Sequence, residues 1–357
     1  MSDHAASTAG SGAPPRVPRI VSGIQPTADS FHLGNFLGAV RGWPALAVGR
    51  EAFYFVADLH ALTVDTDPAL LRTRIRRCAA QLVAAGCEPD VCTLFLQSAV
   101  PEHTELAWVL SCLTGFGEAS RMIQFKEKSA RAGADGTNVG LFSYPVLQAA
   151  DILLYDADQV PVGEDQRQHL ELTRTLAQRF NHRFGPTLRV PEPHIVATVA
   201  RIADLAEPTA KMSKTSSAPA GLLNLLDEPR VNAKKVRGAV TDTGREVRPD
   251  EVDKPGITNL LRIHSALSGR SVDALVEEYA GRGYGDFKGD VADLVLAAFA
   301  PVRERTLELL DDPAALDDVL ARGSERAREV ASTTLARVRD RVGLPAAVPR
   351  DVLLGRR

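Results

Sequence analysis

Apolar residues first gather at Ile20-Val21-Ser22-Gly23-Ile24, a run too short for a helix and bounded by polar positions, which predicts a strand. Residues 35–47 read as a helix. Ala52-Phe53-Tyr54-Phe55-Val56-Ala57 is apolar at every position, the pattern of a strand covered on both faces. Asp67-Pro68 predicts a helix start, with a capping side chain followed by a proline at the first helical position. Leu71, Ile75, Cys78 and Leu82 form the apolar stripe of that helix, and Gly86 ends it. Further along, 92–97 predicts a strand, 102–113 a helix, 159–162 a strand and 166–181 a helix capped by Asp165. Strands alternating with helices, the strands continuously apolar, imply an α/β fold with a doubly wound parallel sheet. Beyond residue 220 strand signals fade, and helical patterns cover 258–267, 272–280, 290–310 and 314–342. The chain therefore divides into a tail at 1–17, an α/β unit at 18–220 and a helical unit at 221–357.

Composition narrows the function classes. The 357 residues are 45% hydrophobic with a net charge of −3, which suits a globular core and excludes a uniformly basic nucleic-acid coat. Any RNA contact must come from local patches, such as Arg72, Arg74, Arg76 and Arg77 on one helix or Lys234, Lys235 and Arg237 on another. Cys78, Cys87, Cys92 and Cys112 lack zinc spacing, and no His/Cys cluster predicts a metal site. Cys78 and Cys92 fall on apolar patterns and are expected in the core of a protein kept reduced in the cytoplasm. The first fifteen residues, rich in Ala, Ser, Gly and Pro, have neither the apolar segment of a signal peptide nor a packing pattern. No apolar stretch reaches membrane-spanning length.

Two segments carry the chemistry. His32-Leu33-Gly34-Asn35 follows the first strand and opens a helix, where unpaired N–H groups and the helix dipole attract phosphate. His32 and Asn35 are expected to donate hydrogen bonds to phosphate oxygens, and Gly34 lets a nucleotide approach the backbone. Lys211-Met212-Ser213-Lys214-Thr215 lies in a Pro-, Ser- and Ala-rich stretch, the composition of a loop that closes over a ligand. A lysine pair of this kind stabilises charge that builds on a departing pyrophosphate. Alone, Lys-x-x-Lys would read as solvated surface; paired with the upstream segment it describes an ATP-dependent adenylate-forming site.

The chain resembles the class I aminoacyl-tRNA synthetases and, within them, the bacterial tryptophanyl-tRNA synthetases. The resemblance runs from about Arg19 to the C-terminal helices. Besides the two motifs, it rests on Ser22-Gly23-Ile24-Gln25-Pro26-Thr27, Asp58-Leu59-His60-Ala61-Leu62-Thr63, Gln124-Phe125-Lys126-Glu127-Lys128-Ser129-Ala130, Ala149-Ala150-Asp151-Ile152-Leu153-Leu154-Tyr155 and Val160-Pro161-Val162-Gly163-Glu164-Asp165-Gln166. The Lys211 loop is common to many class I members, whereas the Asp58, Asp151 and Gly163 blocks are specific to the tryptophan enzymes. The resemblance implies a Rossmann-like catalytic domain and a helical domain for the anticodon region of tRNA(Trp), with the last helices packing back. It also implies a homodimer. The reaction would join L-tryptophan and ATP, with Mg²⁺ as the nucleotide's companion, into tryptophanyl-adenylate before transfer to tRNA.

The same resemblance assigns roles to residues. Lys211, Lys214 and Lys128 would be catalytic. ATP would meet Gln25, Pro26, Thr27, His32, Gly34, Asn35, Gly163, Glu164, Asp165 and Ile202, together with Lys211, Met212, Ser213, Lys214 and Thr215. Asp151 would accept the indole N–H, with Tyr144, Gln148 and His60 lining the amino-acid pocket. On the residues alone, Asp151 is equally readable as a helix-surface or capping carboxylate, Tyr144 and Gln148 as packing residues, and Lys128 as a solvated charge. His60 follows a strand at the end where open α/β sheets bind ligands, although a structural histidine would fit there too. Two departures from the family pattern stand out. The loop from Gln25 to Gly34 is one residue longer than usual and carries Ala28 for glycine, and Gln148 replaces a common methionine. A tyrosyl-tRNA synthetase, a smaller nucleotidyltransferase and a catalytically silent paralogue are the competing readings.

Overall fold

The computed structural model describes residues 16–64, 66–122, 138–163, 166–195, 202–213 and 218–345. Five strands, β1 (Arg19–Ile24), β2 (Glu51–Val56), β3 (Thr93–Leu96), β4 (Gln159–Val162) and β5 (Glu192–Ile195), form one sheet. All pairings are parallel, in the order β3-β2-β1-β4-β5. The order reverses between β1 and β4, so the crevice beyond their carboxyl ends is where a doubly wound sheet receives its ligand.

Alternation along the strands sorts the core into two layers. Val21, Phe53, Phe55 and Phe95 face one side, under α5 (Glu102–Ser111), α7 (Val139–Leu153) and α8 (Arg167–Phe184). Ile20, Ala52, Tyr54, Val56 and Leu94 face the other, where they meet α2 (Trp43–Ala47) and α4 (Pro68–Ala84). Cys78, Cys87 and Cys92 are buried in this second layer, in keeping with a packing role, while Cys112 is exposed. Asp67 caps α4 as expected, accepting from the N–H groups of Ala69 and Leu70 at 2.9 Å each.

Several expectations need correction. The segment 35–47 is not one helix: α1 (Leu33–Gly38), a 3-10 turn (Val40–Gly42) and α2 follow one another. Gly38 and Gly42 weaken the run, and Pro44 has no N–H to continue it. Strand β5 was not foreseen, because four residues with a proline carry little strand signal; Pro193 is tolerated on this edge strand. Short helices α3 (Asp58–Ala61) and α6 (Phe116–Ser120) were also missed. Helix α8 starts after Gln166, whose side chain makes no capping bond, and the expected cap Asp165 lies outside the described residues.

Beyond residue 218 the chain first runs without helix, then forms α9 (Pro229–Arg237), α10 (Pro255–Ser268), α11 (Val272–Glu278), α12 (Tyr284–Asp311) and α13 (Pro313–Val342). Residues 238–254 are a loop, and none of the predicted helices falls there. A third core joins the two halves of the chain: Leu33, Phe36 and Leu37 pack with Ile202, Met212, Leu223, Leu225 and residues of α9 to α12. Helix α13 returns to the sheet. Its Ala327, Val330, Ala331, Leu335 and Val338 enter the first layer, and a Cβ at Gly323 would run into the carbonyl of Leu94 in β3. Ion pairs of Arg326 with Glu51 (2.6 Å) and Arg337 with Asp156 (2.7 Å) flank that contact.

Candidate active site

At the switch point a cavity of about 300 Å³ opens among the end of β1 (Gly23, Ile24, Gln25), Phe55, His60 after β2, and Gln148 and Asp151 on α7. Gly23 is there because the Phe55 ring stands over it; an added Cβ would lie 2.5 Å from that ring.

Asp151 is 1% exposed, and its carboxylate is gripped from three sides. Oδ1 accepts from Gln97 Nε2 at 2.8 Å and pairs with His103 Nδ1 at 2.6 Å. Oδ2 pairs with His60 Nε2 at 2.8 Å. Burial pushes the carboxyl pKa up, but hydrogen bonds from His103 and His60 outweigh it and bring it down to about 2. The carboxylate is therefore ionised at neutral pH, a charged acceptor in a dry cavity. Helix α3, which starts directly after β2, delivers His60. His60 Nδ1 is buried and has no hydrogen-bond partner among the described residues.

Gln148 lines the same cavity, one turn from Asp151, with its amide 3.4 Å from Gln166 Oε1. Tyr144 is set one layer back. It meets the His60 ring edge-on at 6.1 Å, and its hydroxyl lies 2.9 Å from His169 Nε2.

The phosphate-type segment lies at the neighbouring end. His32 caps α1: its Nδ1 accepts the Asn35 N–H at 3.3 Å, and the Asn35 side chain returns a 3.5 Å bond to the His32 N–H. The expectation that His32 donates toward phosphate is thereby corrected for Nδ1, which is an acceptor bound within the helix cap. Gly34 brings the two sequence motifs together, since a Cβ there would touch the His32 ring at 3.0 Å and Met212 Cβ at 3.9 Å. Met212 is buried, its N–H bonded to the Ile202 carbonyl at 3.1 Å, and a backbone bridge from Ala203 to Lys211 holds Lys211 at the surface. Ser213 is half-buried beyond it. Gln25 lines the cavity; Pro26 is buried, and Thr27 and Gly163 are exposed nearby in sequence to β1 and β4. Lys128, Glu164, Asp165, Lys214 and Thr215 lie outside the described residues.

Sequence reading missed Gln97, His103, Tyr155 and His169. The signal was present: Gln97 and His103 follow β3, and the ligand-binding rule for strand ends applies there as it does to His60. The basic clusters fare differently. Arg74 and Arg77 pair with Asp29, Arg76 with Asp317 and Lys235 with Asp227, so most of these charges are spent within the molecule.

A family model for class I tRNA synthetases of the W and Y type matches residues 14–300. The chain belongs to this family. A tryptophan–tRNA ligase 2 of Streptomyces avermitilis is 61% identical over 330 residues, covering 92% of this chain and 98% of that relative. Among solved structures, a tryptophanyl-tRNA synthetase of Mycoplasma pneumoniae superposes with a TM-score of 0.84 at 36% identity, covering 92% of this chain and 99% of that one. The Campylobacter jejuni tryptophanyl-tRNA synthetase complexed with ADP and tryptophan superposes with a TM-score of 0.78 at 33% identity, over 91% and 100%. The switch-point cavity carries the ionised Asp151 on its wall, and the two joined motifs pack against each other outside its lining.

Proposed function

We propose that this chain is a tryptophan–tRNA ligase: it activates L-tryptophan with ATP to tryptophanyl-adenylate and pyrophosphate, then transfers tryptophan to tRNA(Trp). The observation that carries the reading is the buried, ionised Asp151 carboxylate in the switch-point cavity, an acceptor suited to the indole N–H. His60, Gln148 and, from behind, Tyr144 shape the space around it. ATP would lie across Gly34, Asn35 and Met212, with Gln25 to Thr27, Gly163 to Asp165 and the Ile202 backbone at adenine and ribose. Lys211, Lys214 and Lys128 would meet the triphosphate, where charge grows on the leaving pyrophosphate. Mg²⁺ would enter with ATP, held mainly by phosphate oxygens, as magnesium usually is at nucleotide sites.

Residues 18–220 serve as the catalytic domain and 221–357 as the tRNA-binding domain in this reading, in the cytoplasm. Among the described residues no helix is long and apolar enough to cross a membrane. A homodimer is supported by an exposed apolar face: Leu62, Val64, Phe116 and Val139 are 62%, 60%, 78% and 79% exposed, and Asn138 ties the segments through a 3.1 Å bond to the Thr63 carbonyl.

ATP–pyrophosphate exchange measured across the amino acids tests the activity. Exchange is expected with tryptophan and reduced by roughly 10⁴ or more with tyrosine and phenylalanine, which lack the indole N–H. Equal exchange with tyrosine would overturn the assignment, and tryptophan binding without exchange would mark a silent paralogue.

A further inference from the structure

Three donors meet at Asp151, but only His60 shares the cavity with it; Gln97 and His103 stand behind the carboxylate. His103 is fully buried on α5, boxed by the rings of Phe55, Phe95 and Tyr155 with centroids 5.6 to 6.0 Å away. Its two nitrogens are both engaged, Nδ1 with Asp151 Oδ1 at 2.6 Å and Nε2 with the Tyr155 hydroxyl at 2.8 Å. Burial, then the charges of Asp151 and Glu102, push the Tyr155 hydroxyl pKa well up, so the phenol keeps its proton and donates to Nε2. The Asp151 carboxylate is an acceptor only, so Nδ1 carries the hydrogen that points at it, and in the neutral ring Nε2 is left to accept from the Tyr155 hydroxyl. Gln97 is oriented as firmly, because its carbonyl accepts the Leu59 N–H at 3.1 Å and leaves its NH₂ for Oδ1.

We infer that His103, backed by Tyr155, is a positioning residue for tryptophan selection: it saturates Oδ1 of Asp151 and turns the remaining acceptor capacity of Oδ2 toward the ligand. The inference rests on Asp151 being the acceptor for the indole N–H. Without His103, Oδ1 would be left to Gln97 alone, the carboxylate could turn and admit water, and the requirement for an N–H on the ligand would weaken. Tyr155 acts at one further remove, by holding the far edge of the His103 ring through Nε2.

The test compares kcat/KM in pyrophosphate exchange for tryptophan and for its analogue with sulfur in place of the indole N–H. Wild type, His103→Phe, His103→Gln and Tyr155→Phe are measured, each with its KM for ATP. Wild type should prefer tryptophan. His103→Phe should lose roughly 10- to 100-fold with tryptophan, the scale of a hydrogen bond to a charged group, and far less with the sulfur analogue. Its KM for ATP should not move. His103→Gln, which keeps a donor, should recover much of the preference, and Tyr155→Phe should shift it in the same direction by less. If His103→Phe does not fold, Tyr155→Phe, lacking only one hydroxyl, carries the test. Equal losses with both substrates, or an unaltered preference in the variants, would overturn the positioning role. Absence of preference in wild type would instead remove Asp151 as the indole acceptor.

Discussion

The two ends of the candidate site are built on opposite principles. At the proposed amino-acid end, Asp151 is buried and its carboxylate is held by His60, Gln97 and His103, the last two themselves held by Leu59 and Tyr155. At the proposed nucleotide end, Lys211 is exposed on a single backbone bridge, and the side chains of His32 and Asn35 each accept the other residue's backbone N–H. The contrast separates two tasks. Telling one amino acid from another needs a group that cannot move to suit the wrong ligand, because a rigid acceptor left unpaired is costly. Stabilising a leaving pyrophosphate needs charge where charge appears, and a lysine on a flexible stem can supply that without a fixed frame.

Asp151→Ala would break the rigid end most severely. It leaves the donors of His60, His103 and Gln97 without their anion, a loss of about 3–5 kcal/mol in folding stability, together with loss of tryptophan exchange. Urea unfolding of the two proteins checks the first part. The pH dependence has a definite sign. Asp151 titrates lower in the folded chain than its ordinary 3.8, at about 2, so its ionised form stabilises the fold fully above pH about 4. That contribution is lost as pH falls through about 2, and the stability gap between wild type and variant should narrow by about 2–3 kcal/mol over the same interval. A gap independent of pH would mean the carboxylate's charge is irrelevant.

Lys214→Ala probes the other end. Adenylate formation should slow by about 3 kcal/mol, roughly 10²-fold, with tryptophan affinity almost unchanged. Pre-steady-state adenylate formation and equilibrium tryptophan binding separate the two; a collapse of affinity with intact chemistry would erase the contrast between the ends. The smallest effect sits on the cavity wall beside Asp151. Gln148 lines the cavity and reaches toward Gln166, so Gln148→Met should leave tryptophan activation within roughly tenfold. Inhibition constants of tryptophan analogues should change by more, since each places different atoms against this wall, and identical constants in both proteins would put Gln148 outside the site.

Much of this was legible in the chain because it follows local rules. The continuous apolar runs at Phe53 to Val56 and the cap at Asp67 report their own structure, and the Gly34 and Met212 segments each carry a phosphate-handling composition. What sequence could not report is contact between distant segments. His103 stands at the start of an ordinary amphipathic helix, and only the parallel register of β2 and β3 brings it beneath Asp151. The basic residues of α4 read as an exposed stripe until Asp29 and Asp317 arrive from far along the chain. Strand β5 failed for the reverse reason: Glu192-Pro193-His194-Ile195 has almost no local preference and is a strand because β4 offers it an edge.

Gly323 has a consequence for how the enzyme comes into being. Strand β3 is one of the two edge strands of the sheet, and α13 sits closely on its Leu94. A chain emerging from the ribosome exposes β3 and the apolar layer beneath Val330 and Leu335 until α13 has followed, some two hundred residues later in synthesis at about 5–20 residues per second. For those tens of seconds the nascent protein presents an open strand edge, the surface on which sheets add foreign strands. Maturation is thus gated by the arrival of a single helix, and a chain truncated before it would be expected to aggregate rather than persist as a half-active enzyme.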